Sequence, residues 1–178
     1  SRRARLADLM PPGSVALFPS APIASRNNDV DHEYRQDSDL FYLTGFDEPE
    51  SLAILKRDET GHTFELAVRP KDPEREIWDG RRAGVEGAVR DFSADKAHTS
   101  TKLDAIIQEA LAGRHTLVYA LGAHPLVDPI VLKLLTRFRA RKRRAPSGPT
   151  QVWDVGPLVH EMRLFKSAEE VALSLIHI

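Results

Sequence analysis

Short apolar runs alternate with helical patterns along the chain, and this alternation constrains the fold more than any other feature. The runs typical of β-strands lie at 15–18, 51–56, 63–68, 116–121 and 151–155. The second and third runs flank Asp58-Glu59-Thr60-Gly61, a sequence typical of a hairpin turn. Helical patterns begin near Arg2, Thr99 and Asp128. This order predicts an α/β fold in which helices flank a mixed β-sheet.

Between these elements, one segment has clear signals of local structure and two segments have none. Asp37 offers a side-chain cap to one apolar helical turn at 40–43, and Gly45 suits the left-handed position that ends such a turn. Residues 19–33 and 71–95 show no strand or helix pattern. We therefore expect the first of these two segments to be a polar loop and the second to be a charged connector.

The composition excludes several classes of site. The chain has 178 residues and no cysteine, so disulfides, thiolate metal ligands and cysteine nucleophiles are excluded, and a reducing, cytoplasmic location is expected. The formal net charge is −1, which gives no overall attraction to nucleic acid or to an anionic membrane. No apolar run approaches the roughly 18 residues that a membrane-spanning helix needs. We expect neither nucleic acid nor a membrane as a partner.

One segment is strongly basic, although the chain as a whole is close to neutral. Residues 137–144 carry six cations in eight positions, which would fit a nucleic-acid patch. The same run also fits a solvated helix end, where cations complement the negative end of the helix dipole. Phe138 is the only aromatic residue in the run, and it belongs to the apolar stripe of the helix. The solvated helix end is the favoured interpretation.

Metal-ligand patterns are weak. Asp29, Asp31, His32 and Glu33 lie close together in the predicted loop, and side chains of these types can hold a divalent cation. Their spacing matches no known metal loop, so we assign no metal ligand there. The run 160–163 has the sequence His-Glu-Met-Arg and lacks the second histidine of a zinc-protease helix. Motifs of nucleophilic hydrolases and of nucleotide-binding loops do not occur.

Trp78 allows two interpretations. It lies in the charged connector with few apolar residues nearby to bury it. A tryptophan exposed among charges often anchors a ligand or a protein partner. Alternatively, Ile77 and Trp78 fold back onto the sheet. The residues alone leave both possibilities open.

Three motifs resemble a known family. YRQDSDLFYLTGFDEPE at 34–50, EIWDGRRAG at 76–84 and LVHEMRLFKSAEEVAL at 158–173 are similar to the N-terminal domain of Xaa-Pro aminopeptidase, the aminopeptidase P family. The resemblance implies that residues 1–160 form this mixed α/β domain. It also implies that residues 161–178 are the linker and the truncated first helix of a pita-bread catalytic domain that is otherwise absent.

The resemblance further implies a function. In this family the catalytic domain binds a pair of divalent metals, usually manganese, and releases the N-terminal residue that precedes proline. The motifs for the metal ligands do not occur in this chain, so we expect it to be inactive alone. The N-terminal domain builds contacts in a homo-oligomer and walls the active site. By this resemblance Trp78 and Asp29 belong to the pocket for a proline-containing peptide, and no catalytic residue is assigned.

Two other functions and one hypothesis about the gene stay open. The domain plan also occurs in creatinase and prolidase, and a similar two-domain body in a histone chaperone binds histones without metals. The motif FYLTGFDEPE, together with WDGRRAG, favours aminopeptidase P. The final residues LSLIHI depart from the family pattern. We hypothesise that the reading frame is interrupted there.

Overall fold

The computed structural model describes residues 1–28, 30–140 and 147–176. Within them, six strands form one sheet in the order β6-β5-β4-β1-β7-β8. These strands are β1 Ser14–Pro19, β4 Leu52–Arg57, β5 His62–Val68, β6 Lys96–Thr99, β7 Thr116–Val118 and β8 Gln151–Trp153. A separate two-stranded ribbon is formed by β2 Ser25–Asn27 and β3 Val30–Asp31. The predicted α/β fold with a mixed sheet is confirmed.

Strand β4 alone runs against the other five strands of this sheet. It pairs antiparallel with both β1 and β5, whereas β1 is parallel to β7, β7 to β8, and β5 to β6. Registers such as Ala16 opposite Leu55 and Ala53 opposite Leu66 keep apolar side chains on matching faces. The predicted hairpin is the β4–β5 pair. The carboxyl ends of five strands therefore lie at one edge of the sheet.

Helices cover both faces of the sheet. They are α1 Arg2–Leu9, α2 Ser38–Thr44, α3 Pro73–Asp79, α4 Gly84–Phe92, α5 Leu103–Leu111, α6 Asp128–Arg139, α7 Gly156–Leu164 and α8 Ala168–Ile176. A 3₁₀ turn at Ser100–Lys102 precedes α5. No helix among the described residues has the length and apolar character that crossing a membrane would require.

Two apolar cores result, one on each face. Because β1 is buried on both sides, its side chains divide between the cores: Ala16 and Phe18 face α1, α2, α4 and α7, and Val15 and Leu17 face α5 and α6. The first core includes Leu6, Leu40, Phe46, Leu66, Val159 and Met162. The second core includes Ile54, Ile107, Leu111, Val131 and Leu135. The helical patterns predicted for α5 and α6 match these buried faces, whereas in α1 Leu6 is buried but Leu9 is 49% exposed.

The local prediction around Asp37 is confirmed. Its carboxylate accepts hydrogen bonds from the backbone amides of Asp39 and Leu40, each at 3.0 Å, and so caps α2. Gly45 ends the helix at φ 69°, in the left-handed region. This short helix brings the segment that follows it, 45–51, back to the edge of the sheet.

Two predictions of irregular structure were wrong. The polar loop at 19–33 contains the ribbon β2–β3, and the charged connector at 71–95 contains α3 and α4. The buried residues of α4 are the small residues Gly84, Gly87 and Ala88, and its larger apolar residues Val85 and Phe92 are only partly buried, so the helix was not recognised within the charged connector. Strand β6 was also missed, because its residues are polar and it lies at the edge of the sheet. Residues 141–144 of the basic run lie outside the described residues.

Candidate functional site

The candidate site lies at the edge where five strands end. In open α/β sheets, ligand-binding groups collect in the crevice beyond the carboxyl ends of the strands. At this edge β5 ends at Val68 and is followed by Arg69, and β1 ends at Pro19 beside the start of β4. The segment 70–83 then leaves the sheet and returns at α4. It contains α3 and most of the EIWDGRRAG motif.

Trp78 is exposed on α3. Asp72 caps this helix through a hydrogen bond from the amide of Arg75 at 3.2 Å, and Pro73 occupies its first turn. The side chains of Ile77 and Trp78 are 78% and 88% exposed. The interpretation that they fold back onto the sheet is therefore wrong. A tryptophan this exposed leaves a large apolar surface available to a ligand or a second protein.

Asp29 lies outside the described residues, so its predicted role stays a prediction. The structure does describe its neighbours Asn28 and Val30, both exposed, and Asn28 has a positive φ of 46°. At the open end of the ribbon β2–β3, the backbone amide of His32 donates a hydrogen bond to the carbonyl of Ala24 at 2.9 Å.

A buried charge cluster lies at the base of the segment that carries Trp78. It consists of Glu48, Arg69 and Arg82, and both arginines are more than 90% buried. The amide of Ala83 donates to Glu48 Oε1 at 2.6 Å, and Arg69 Nη2 lies 3.6 Å from Glu48 Oε2. Arg82 donates to the carbonyl of Pro70 at 3.3 Å. The cluster therefore connects the two ends of the segment 70–83.

Tyr34 and Gln36 extend this cluster. Gln36 Oε1 accepts from the Tyr34 hydroxyl at 2.8 Å and from the amide of Ala21 at 3.1 Å, and Gln36 Nε2 donates to the carbonyl of Glu48 at 2.9 Å. Burial is the main cause that raises the pKa of Tyr34 to about 12, so its hydroxyl stays protonated at neutral pH. Tyr34 and Gln36 therefore hold the loop that carries Glu48.

Sequence reasoning assigned no role to Glu48, Arg69 or Arg82. Glu48 and Arg82 lie within motifs that carried the resemblance, but the contacts of Glu48 with Arg69 and with the amide of Ala83 join residues far apart in the chain. One signal was available: Arg69 directly follows the apolar run 63–68, so its side chain had to lie at the end of a buried strand. A buried cation there requires an anionic or carbonyl partner.

A groove of about 760 Å³ lies between the body of the domain and α8. Its lining includes Arg35, Phe41, Arg163 and Leu173 but not Trp78. Glu170 on α8 pairs with Arg2 at 2.8 Å and forms a capping box with Ser167, whose amide donates to Glu170 at 2.8 Å. The groove and the exposed tryptophan are thus separate features.

The described residues do not form a metal centre. Across 1–28, 30–140 and 147–176, no three His, Cys, Asp or Glu side chains come close enough to hold a cation together. Asp31, His32 and Glu33 are exposed. The described donors therefore do not fit the metal pair that the resemblance implies.

Comparison with known proteins decides the family. Residues 1–119 match the family described as aminopeptidase P, N-terminal domain. The chain belongs to this family. Aminopeptidase P from Escherichia coli in its low-pH form has the same architecture, with a TM-score of 0.92 and 38% identity over 96% of this chain and 39% of that one. A zinc-substituted E. coli aminopeptidase P in complex with product matches with the same score and coverage.

Curated aminopeptidase P relatives agree. The chain is 39% identical to Xaa-Pro aminopeptidase of E. coli strain K12 over 97% of its own length and 39% of the relative's. It is 32% identical to Xaa-Pro aminopeptidase of Haemophilus influenzae over 97% of its own length and 37% of that protein. Human Xaa-Pro aminopeptidase 3 is 28% identical over 85% of the chain and 30% of the human protein. The chain thus spans about two-fifths of the length of the bacterial relatives.

Proposed function

We propose that this chain is the N-terminal, non-catalytic domain of a manganese-dependent Xaa-Pro aminopeptidase, which releases the N-terminal residue before proline. The proposal follows from membership of the family and from the names of the relatives. Its role is to build subunit contacts in a homo-oligomer and to wall the active site. The proposed enzyme is cytoplasmic, in keeping with the absence of cysteine.

The 88% exposure of Trp78 is the observation that carries this role. An indole left in water, on a helix whose described side chains at 73–78 are not buried, contributes little to the stability of the domain. It is suited to cover the apolar proline ring of a substrate, either in the same subunit or across a subunit contact. Asp29 belongs to the proposed pocket by resemblance alone.

The metals of the proposed enzyme are assigned to the part of the relatives that this chain does not match. A metal pair supplies a bound hydroxide of lowered pKa and stabilises developing negative charge. None of that chemistry is assigned to residues of this chain. What the chain supplies in the proposal is a wall that orients the peptide and limits the access of water.

Activity assays test the proposal directly. The 178-residue chain with Mn²⁺ is expected to leave Xaa-Pro-Yaa peptides intact. A chimera in which the chain replaces the matching N-terminal part of the E. coli enzyme is expected to hydrolyse them. Turnover by the isolated chain, or a folded chimera without turnover, would contradict the proposal. Creatine, Xaa-Pro dipeptides and histones serve as alternative substrates and ligands, because creatinase, prolidase and histone-chaperone functions predict activity or binding there.

Substitution of Trp78 tests whether its side chain forms part of the active-site wall. In the chimera, W78A is expected to lower kcat/KM by about tenfold or more, because an apolar contact to the substrate is lost. The melting temperature should change by less than about 3 °C, since the side chain is exposed. L126A is the matched control, because Leu126 is also highly exposed, at 76%, and lies in the turn before α6, outside the segment 70–83. A large fall in melting temperature with unchanged kinetics would instead make Trp78 a structural residue.

A further inference from the structure

The segment that presents Trp78 has little apolar packing to orient it. Between residues 71 and 81, none of the described side chains is buried, and α3 is only 7 residues long. A helix of this length is not stable by itself in water. The direction in which Trp78 points must therefore be set where the segment joins the body of the domain.

Both ends of the segment are held at that junction. Arg82, at its end, donates to the carbonyl of Pro70 at its start at 3.3 Å. Ala83, which follows Arg82, donates its backbone amide to Glu48 at 2.6 Å. Glu48 belongs to a different part of the chain, and its own carbonyl accepts from Gln36 at 2.9 Å and from Ser51 at 3.0 Å. A fixed carboxylate therefore determines where the segment ends.

The distances around Glu48 distinguish a carboxylate that positions the backbone from one that only neutralises the arginines. A carboxylate that served only to neutralise buried arginines would make its closest contact with a guanidinium group. The amide of Ala83 lies 2.6 Å from Glu48 Oε1, whereas Arg69 Nη2 lies 3.6 Å from Glu48 Oε2. Arg69, which is buried, faces the other oxygen of this carboxylate.

We propose that Glu48 is a positioning residue for Trp78: its carboxylate fixes the backbone at Ala83 and thereby the direction of the exposed indole. This inference rests on the proposed function insofar as it concerns catalysis. The positional part, that Glu48 sets the direction of the indole, concerns this chain alone. Glu48 does not touch a reacting atom, and it acts through the segment 70–83.

Fluorescence anisotropy of Trp78 tests the positional part. The chain has two tryptophans, so W153F leaves Trp78 as the only emitter. In that background, E48A is expected to raise the amplitude of the fast, nanosecond component of the anisotropy decay about twofold, because the end of the segment is released. E48Q keeps an amide oxygen for Ala83 and should show a smaller rise.

E65A is the matched control. Glu65 is also a buried carboxylate paired with a cation, Lys56, but it lies within β5 and away from the segment. E65A should lower the stability of the domain and leave the Trp78 decay unchanged. Equal decays in E48A, E48Q and wild type, or equal rises in E48A and E65A, would overturn the positional role. If E48A does not fold, the comparison of E48Q with wild type decides.

A double-mutant cycle in the chimera tests the catalytic consequence. E48A is expected to raise KM severalfold with a smaller effect on kcat, and W78A/E48A should be no slower than W78A alone, since both changes remove the same contact. Independent, multiplying effects would contradict the inference. The two proposals fail separately. If E48A changes the anisotropy decay of Trp78 but W78A does not change the kinetics, only the proposed role of Trp78 in the active-site wall is overturned. If W78A changes the kinetics but E48A leaves the anisotropy decay unchanged, only the role of Glu48 is overturned.

Discussion

Gly45 holds a backbone conformation that is costly for any residue with a β-carbon. It ends α2 at φ 69°, and a β-carbon added there would meet no atom within 4 Å. The cost of a substitution is therefore backbone strain without a steric clash. G45V is expected to lower the free energy of unfolding by about 1–2 kcal/mol, because the left-handed region is unfavourable for L-residues.

Gly61 provides the control for this prediction. A β-carbon there also meets no atom within 4 Å, but Gly61 does not have a positive φ. G61V should therefore cost much less than G45V when both are measured by urea unfolding. Equal losses of stability would show that the backbone angle at Gly45 is not the source of the cost.

Single residues could be predicted where the signal was local. The cap at Asp37 and the glycine at Gly45 act on their own helical turn, so their roles were visible in sequence. The helical pattern was expected to begin near Asp128, and α6 begins there, but the Asp128 carboxylate does not cap the helix. It accepts from the Tyr119 hydroxyl at 2.6 Å and from the amides of Gly122 and His124 at 3.2 Å. That choice depends on a loop folding back, which residue types do not encode locally.

At the scale of the elements, a buried ionic group joins three neighbouring strands. Glu65 of β5 contacts Lys56 of β4 and lies 2.8 Å from His98 Nε2 of β6. Burial pushes the pKa of Glu65 upward, but the hydrogen bonds with Lys56 and His98 outweigh it and hold that pKa below its usual value. The ionised carboxylate therefore stabilises the folded state.

This arrangement predicts how stability depends on pH. Because the folded pKa of Glu65 is lower than the unfolded one, its contribution is complete above about pH 5 and is lost as the pH falls through the folded pKa. At pH 7, E65Q should lower the free energy of unfolding by about 2–3 kcal/mol, and the difference from wild type should shrink toward pH 3. Urea unfolding between pH 3 and 7 measures this. E59Q, at the exposed hairpin turn, is the control, and a difference that is constant with pH would contradict the assignment.

Most of the elements that bury several large apolar residues were predictable, but α7, which buries Val159 and Met162, was missed. The hairpin β4–β5 and the helices α5 and α6 have large apolar faces, and the spacing of their apolar residues was visible in the sequence. Strand β6 has the sequence Lys-Ala-His-Thr, and its place in the sheet comes from pairing with β5 and from the contact of His98 with Glu65. Such an edge strand is specified by its partners, so no pattern in its own residues could predict it.

For the whole molecule, one sheet serves two cores. Alternate residues of β1 enter opposite cores, so neither core can form without the strands that also support the other. The alternation of strands and helices was enough to predict this layered plan. This alternation was not enough to predict the site. Glu48, Arg69 and Arg82 come near one another only after the chain has folded, and the exposure of Trp78 depends on whether its segment packs against the body of the domain.

The shared sheet predicts that the domain unfolds as one cooperative unit. Leu40 lies fully buried in one core and Ile107 in the other. L40A and I107A should each lower the free energy of unfolding by about 2–5 kcal/mol, through lost apolar burial and the cavity left behind. L132A, at a position on α6 that is 50% exposed, should change it by less than about 0.5 kcal/mol. Far-UV circular dichroism and tryptophan fluorescence should give coincident urea transitions, with unchanged slopes, in all three variants. Two separate transitions in either core variant would mean that the faces of the sheet unfold independently.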